Sequence, residues 1–229
     1  MKIPFEGKWI NDWISKRSSI TPDWVAILDN ATGDLRRFTF RDINERASRA
    51  AAYLKYELGV SKGDFLCILS WPRVEVLDLL FACSKLGAIF FPLNTRYTAI
   101  EISEILREYK PKVFAYEDEF QSQREIASAK VPALININHR ETGSSSYNEI
   151  ERYGKFLDLP EEVTLDDPVM ILQTGGTTGK PKAGIVNHRM ILWNAVNTVR
   201  DLLIPYDVTI TAVPLYHIGG FTYTIPLHF

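Results

Sequence analysis

The residues best equipped for chemistry lie together in Gln173-Thr174-Gly175-Gly176-Thr177-Thr178-Gly179-Lys180-Pro181-Lys182. Gly175, Gly176 and Gly179 let the backbone approach a ligand closely and take dihedrals other residues avoid. Thr174, Thr177 and Thr178 add hydroxyls, and Lys180 and Lys182 add positive charge. Backbone N–H groups, hydroxyls and ammonium groups in one short loop suit a polyphosphate. The order is not that of a Walker A loop, which needs Gly where this chain has Thr174 and Ser or Thr where Pro181 follows Lys180. A merely flexible surface loop would share the composition, but not this order directly after a predicted strand.

Other reactive side chains are sparse. His217 sits in Val213-Pro214-Leu215-Tyr216-His217-Ile218-Gly219-Gly220, and His188 follows the glycine-rich segment. Cys67 and Cys83 each lie in an apolar run, which reads as two buried, reduced thiols. No His or Cys cluster has metal-site spacing.

The elements that must position these residues alternate. Val25 to Leu28 and Leu35 to Phe40 read as strands joined by the turn Asn30 to Asp34. Arg41 to Leu58 carries apolar residues on one helical face, with Gly59 as its stop. Phe65 to Leu69 is a continuous apolar strand of the buried, parallel kind. Arg73 to Leu86 is apolar nearly all round and reads as a buried helix. Ala88 to Phe91 is a strand, Ile100 to Tyr109 a helix, and Lys112 to Tyr116 and Val131 to Ile137 are strands. Glu141 to Ser146 is the most linker-like stretch, and Leu159 to Asp167 an acidic loop. Pro168 to Leu172 is the strand that leads into the glycine-rich segment. His188 to Leu203 reads as a helix with Trp193 and its apolar neighbours in the core, and Thr209 to Val213 as a strand. This alternation implies right-handed crossovers and an α/β fold, a mostly parallel sheet flanked by helices.

With these residues in place, the chain resembles the adenylate-forming superfamily of acyl-CoA synthetases, luciferases and peptide-synthetase adenylation domains. The family loop reads roughly Thr-Ser-Gly-Thr-Thr-Gly-x-Pro-Lys-Gly, with a His six residues past the Lys. Thr174, Gly176, Thr177, Thr178, Gly179, Pro181, Lys182 and His188 match it. Gly175 stands where Ser is usual, which removes one phosphate contact but keeps a backbone donor. Ala183 stands where Gly is usual, and Gln173 where an aromatic residue is common. Three further segments match in order: Phe38 to Ile43, Lys85 to Arg96, and Val213 to Gly220. The Pro-Leu-Asn-Thr-Arg ending at Arg96 is closer to acyl-CoA synthetases than to peptide synthetases.

The resemblance implies an ATP-dependent ligase that joins a carboxylate, with a fatty acid expected, to coenzyme A through an acyl-adenylate. The loop residues Thr174, Gly175, Gly176, Thr177, Thr178, Gly179, Lys180 and Lys182 would grip the nucleotide phosphates. Thr177 (or Thr178) would place a hydroxyl near Mg2+. His217 would sit by the substrate carboxylate or acyl channel. His188, Asn94 and Arg96 are expected to organise structure. The chain reads as the amino-terminal portion of the large AMP-binding domain over residues 1–229, divisible into 1–166 and 167–229, without the mobile carboxy-terminal domain. The apolar stretch Tyr223 to Phe229 reads as a truncation, so the isolated chain is expected to be inactive. The alternative is a non-catalytic split or degenerate binding module of the same fold.

Composition narrows the partners. Net charge is -2, with 46% hydrophobic and 24% charged residues. That is ordinary for a globular protein and gives no general pull toward nucleic acid. No uncharged run approaches the roughly 18 residues of a membrane span. A cytoplasmic protein acting on a small carboxylate and ATP is the expectation, with a homodimer left open.

Overall fold

The computed structural model describes residues 10–138, 145–157, 160–174, 182–201, 207–211 and 213–224. Helix α1 (Trp13–Ile20) leads to a two-stranded antiparallel hairpin, β1 (Val25–Asp29) and β2 (Arg36–Thr39). Helix α2 (Phe40–Tyr56) starts on a reciprocal cap. The Thr39 hydroxyl accepts the Asp42 N–H, and the Asp42 carboxylate accepts the Thr39 N–H. The helix stops at Tyr56, before the expected Leu58, and the Val60 N–H then reaches back to the Leu54 carbonyl.

Strand β3 (Phe65–Leu69), helix α3 (Val74–Leu86) and strand β4 (Ile89–Pro92) form the first parallel unit. Gly87 ends α3 at φ +65°, and a Cβ there would meet Lys62 and Val163 at 3.0 Å, so only glycine suits the turn. Helix α4 (Ala99–Tyr109), strand β5 (Val113–Tyr116), helix α5 (Gln121–Ser128) and strand β6 (Ala133–Asn136) continue the alternation. A two-residue strand β7 (Ser145–Ser146) and helix α6 (Tyr147–Glu151) follow. Strands β8 (Pro168–Thr174) and β9 (Lys182–Asn187) form an antiparallel pair, and helices α7 (His188–Asp201) and α8 (Ile218–Thr224) end the described elements.

The larger sheet runs β7-β6-β5-β3-β4-β8-β9, parallel up to β8 and antiparallel at β9. Strand side chains alternate between two cores. Leu66, Ile68, Val113 and Ala115 join α1, α2 and α3 on one face. Cys67, Leu69, Phe114 and Tyr116 join α4 and α5 on the other. Both cysteines are buried and unpaired, and burial pushes both thiols up.

Every residue of α3 is buried, charges included, and the charges are paired. Glu75 accepts from Arg36 at 2.9 Å and Arg73 at 2.6 Å. Asp78 accepts from Arg46 at 2.9 Å and from the Tyr147 hydroxyl at 2.7 Å. Lys85 donates to Asp12 and to Asn44.

Two expectations fail. Residues 209–211 form no strand, and Val208 and Ile210 are exposed, with no strand partner among the described residues. Trp193, expected in the core, is 58% exposed, because α7 turns Ile191 and Ala195 inward instead. Helices α1, α5, α6 and α8 and strands β7 and β9 are additions to the sequence reading, β7 taking Ser145 and Ser146 out of the expected linker.

Candidate functional site

Strand β8 is buried on both sides. Val169, Met170 and Leu172 sit in one core and Ile171 in the other. It runs parallel to β4, so its carboxyl end emerges at the same sheet edge as those of β3, β4, β5 and β6. Ligands of open α/β sheets bind beyond that edge. At its end Thr174 pairs directly with Lys182 on β9, after an unbroken register from Ile171↔Ile185. The two flanks of the glycine-rich segment are thus clamped side by side by a ladder anchored in the core. Of the predicted phosphate residues, Thr174 and Lys182 stand at this mouth. Gly175, Gly176, Thr177, Thr178, Gly179 and Lys180 lie outside the described residues.

The sequence around this mouth has a basic bias that the glycine-rich motif does not itself contain. From Pro168 to Arg200 there is no acidic residue, while Lys180, Lys182, Arg189 and Arg200 fall within the stretch. Arg189 is engaged, donating two 3.0 Å hydrogen bonds to Asp166. At the base of the loop Gln173 buries its side-chain oxygen with no hydrogen-bond partner among the described residues.

His188 opens α7 and is buried edge-on against Trp13, with ring centroids 5.8 Å apart. Burial pushes its pKa down to about 4, although Asp167 pulls the other way. The nearby Ile10 carbonyl is taken by the Trp13 indole N–H at 2.6 Å, and neither His188 nitrogen makes a hydrogen bond among the described residues. A neutral, packed imidazole here braces the base of the hairpin against α1.

His217 behaves differently. It is exposed at the start of α8, and its Nδ1 accepts the Gly219 N–H at 3.1 Å. In the neutral ring that acceptance leaves the proton on Nε2 as the remaining donor. The turn around it is tight. The His217 N–H donates to the Pro214 carbonyl at 3.0 Å, and the Gly220 N–H donates to the His217 carbonyl at 2.9 Å. A Cβ on Gly220 would lie 2.6 Å from the Pro214 oxygen, so glycine is obligatory for this closure. Leu215 and Phe221 anchor the turn in the core, Phe221 edge-on to Phe90 of β4. Tyr216 comes near enough to help raise the pKa of Tyr97, behind burial and Glu101. The fold therefore ties the His217 turn to β4 and to the segment after it.

That segment is itself ordered. The Asn94 side chain accepts the Arg96 N–H at 2.9 Å, and the Asn94 carbonyl accepts the Tyr97 N–H at 3.0 Å. Asn94 thus holds a turn, while Arg96 is exposed. The crevice between the ends of β3 and β5, where connections leave to opposite faces, is plugged from within. Glu117 accepts the Ser70 hydroxyl at 2.6 Å and the Trp71 N–H at 2.7 Å.

A phosphate-bearing ligand fits the chemistry of this stretch, whose sequence holds lysines, threonines and glycines and no acidic residue between Pro168 and Arg200. Among the described residues no group of three or more His, Cys, Asp or Glu is arranged to hold a metal. A magnesium ion accompanying the phosphates would take its ligands from them and from a hydroxyl such as that of Thr177.

Known proteins share this framework. The family model for AMP-binding enzymes matches residues 14–229. The chain is 33% identical over 222 residues to the indoleacetate–CoA ligase of Aromatoleum aromaticum, covering 92% of this chain and 41% of that one. It thus spans well under two thirds of the length of the curated relatives it matches. A putative long-chain-fatty-acid CoA ligase from Rhodopseudomonas palustris superposes with TM-score 0.81 at 25% identity, over 96% of this chain and 55% of that one. The N-terminal domain of FACL13 from Mycobacterium tuberculosis superposes with TM-score 0.81 at 26% identity, and this chain covers 54% of it. The motifs, the sheet that clamps Thr174 against Lys182 and the match over residues 14–229 lead to one conclusion: the chain belongs to the AMP-binding enzyme family, of which it carries an amino-terminal part.

Proposed function

We propose that this chain is the phosphate-gripping part of an ATP-dependent acid–thiol ligase. The observation that carries the reading is the hairpin mouth, where Thr174 and Lys182 are paired at the carboxyl edge of the sheet in a stretch without acidic residues. The loop from Thr174 to Lys182 holds the β- and γ-phosphates through backbone N–H groups, threonine hydroxyls and lysine charge. Magnesium, when bound, neutralises phosphate charge. A carboxylate oxygen attacks the α-phosphorus, the bond to the bridging oxygen breaks, and pyrophosphate leaves with the electron pair. Fixed donors aimed at the departing phosphates stabilise the charge that grows there. His217, with Nε2–H as donor, orients the substrate carboxylate. The thiol of coenzyme A, as thiolate, then attacks the acyl carbon and releases AMP.

The acid is proposed to be apolar, a fatty acid first. The Rhodopseudomonas palustris relative supports that choice, and the Aromatoleum aromaticum relative makes an arylacetic acid the natural competitor. Two buried thiols suit the reducing cytoplasm. The isolated chain is proposed to bind phosphate without turning over.

Calorimetry with magnesium pyrophosphate and magnesium ATP tests the site. Binding of pyrophosphate that weakens about tenfold or more in Lys182→Ala supports the loop assignment, and no binding to the parent chain overturns it. A pyrophosphate-release assay across a carboxylate panel tests the rest. Robust turnover by the 229 residues would sink the claim of inactivity. Gly175 and Ala183 favour one second reading, a binding module that takes a carboxylate but no nucleotide, and carboxylate binding without ATP or pyrophosphate binding would establish it.

A further inference from the structure

Two side-chain oxygens at the carboxyl edge of the sheet are buried with no hydrogen-bond partner among the described residues, Oε1 of Gln173 and Oγ1 of Thr95. Such atoms are rare in folded proteins, and each calls for an explanation. Strand β8 runs beside β4 in parallel register, with Phe90 against Met170. Carried forward, that register sets Leu93 level with Gln173 and Asn94 level with Thr174. The Leu93 N–H still bonds the Ile68 carbonyl at 2.8 Å, so the chain keeps its course that far. It then turns, and Thr95 is the corner. The Asn94 carbonyl accepts the Tyr97 N–H at 3.0 Å and the Asn94 side chain accepts the Arg96 N–H at 2.9 Å, which pins the turn from both sides. Gln173 is paired with Ala183 in the β8–β9 ladder. Alternation puts it on the face of Ile171, where Leu93 and Ala183 also pack. Both oxygens are therefore placed by backbone structure, at the ends of two adjacent strands.

An amide oxygen only accepts hydrogen bonds, and a threonine hydroxyl accepts as readily as it donates. Together they call for a donor. The phosphates proposed for this mouth are themselves acceptors and do not supply one. The magnesium that accompanies them does, because Mg2+ keeps several of its waters, and each bound water presents polarised O–H groups. The hairpin itself offers no carboxylate to receive those protons, since no acidic residue stands between Pro168 and Arg200. Among the described residues no group of His, Cys, Asp or Glu is arranged to hold the ion directly. We propose that Gln173 Oε1 and Thr95 Oγ1 receive the water shell of the phosphate-bound magnesium, a neutral contact that orients the ion without competing for the lysines. This rests on the reading of the mouth as a phosphate site. It also gives Gln173 a reason to stand where an aromatic residue is common, because a ring offers no amide oxygen.

Calorimetry of pyrophosphate binding to the full 229-residue chain, once with magnesium and once with EDTA, is the test. In the parent chain magnesium should tighten pyrophosphate binding about tenfold or more. Gln173→Leu/Thr95→Val should shrink that gain to below about threefold and leave metal-free binding within about twofold of the parent. Lys182→Ala should weaken binding alike under both conditions, as a phosphate contact does. Gln173→Glu keeps an oxygen and adds a negative charge, so it should keep or enlarge the magnesium gain while weakening metal-free binding. A side chain that only packs would give no such opposition of sign. Thermal melts report whether each variant is folded. A full magnesium gain in folded Gln173→Leu/Thr95→Val overturns the proposal and leaves the phosphate reading standing, because the two oxygens then enclose an ordinary water. Pyrophosphate binding by the parent that magnesium does not tighten has the same meaning. Should the apolar double variant fail to fold, Gln173→Glu decides, and a magnesium gain smaller than the parent's overturns the proposal. Absence of pyrophosphate binding by the parent under both conditions overturns this proposal and the phosphate reading together.

Discussion

Helices α3 and α7 both carry apolar side chains around most of their circumference, yet one is sealed and the other half bare. Helix α3 lies under α2 and the β1–β2 hairpin, and even Glu75, Asp78 and Lys85 are removed from water. Their charges are answered by Arg36, Arg46 and Asp12, which reach in from separate segments, and by Arg73 at the start of α3 itself. Helix α7 receives one layer only, and its outer face meets solvent. Sequence patterning states how many layers a helix requires, and the fold around it determines how many it receives. The α3 region should therefore be sensitive to lost pairing, and the α7 region should tolerate surface change.

The largest effect should come from breaking the sealed side. Arg46 donates to Asp78 at 2.9 Å and to Glu151 at 2.7 Å, and it lies over the Phe38 and Tyr147 rings. Arg46→Ala leaves Asp78 buried without its counter-charge and should cost about 3–5 kcal/mol in urea unfolding. A loss below about 1 kcal/mol would show that the network contributes little.

Acid titration separates the two regions by sign. His188 has its folded pKa pushed down to about 4 from an ordinary 6.5, so its contribution is complete above 6.5 and is lost as pH falls toward 4. Asp78 is pushed up to about 6 by burial, against Arg46, so it favours the folded state at low pH and loses that as pH rises from about 4 to 6. The two slopes oppose each other between pH 4 and 6. Stability of Asp78→Asn should rise with pH across that window by up to about 1.4 kcal/mol per unit relative to the parent, and stability of His188→Gln should fall relative to it. Parallel profiles for all three proteins would refute the assignment.

The same contrast explains what the sequence made legible. Phe65 to Leu69, Arg73 to Leu86 and Lys112 to Tyr116 declare themselves because burial on both faces selects continuous apolar runs. Strand β9 hides because it is an edge, with Ile185 exposed and Gly184 interrupting the pattern. Helix α8 hides because Gly219 and Gly220 are poor helix formers, and tertiary closure on Pro214 overrides that preference. Helix α1 hides because only Trp13 and Ile14 are buried, too few to establish a period. The proposed phosphate loop rests on residue order, whereas the pairing of Thr174 with Lys182 was not legible, since it depends on β9. Residues 209–211 were misread because strand patterning states a preference that only a partner strand fulfils.

Between the extremes lies the turn that carries His217. Gly220→Ala forces a Cβ toward the Pro214 oxygen, now 2.6 Å from where it would sit, and should cost about 1–3 kcal/mol by overpacking. Differential scanning calorimetry reads the loss. Gly219→Ala, whose nearest neighbour is the movable His217 ring at 3.3 Å, should cost less. Equal losses would mean that the turn is not governed by the close approach at Gly220.

The smallest effect on stability should come from the bare side. Trp193 stands 58% exposed, so Trp193→Ser removes little packing from the chain alone and should shift unfolding by no more than about 0.5 kcal/mol. Its consequence should appear in solution behaviour, because exposed apolar faces drive association. Concentration-dependent light scattering should fall in Trp193→Ser relative to the parent. A destabilisation of several kcal/mol would place Trp193 in the core of the chain alone and erase the contrast with α3. A silent scattering profile would show that the outer face of α7 is inert in isolation.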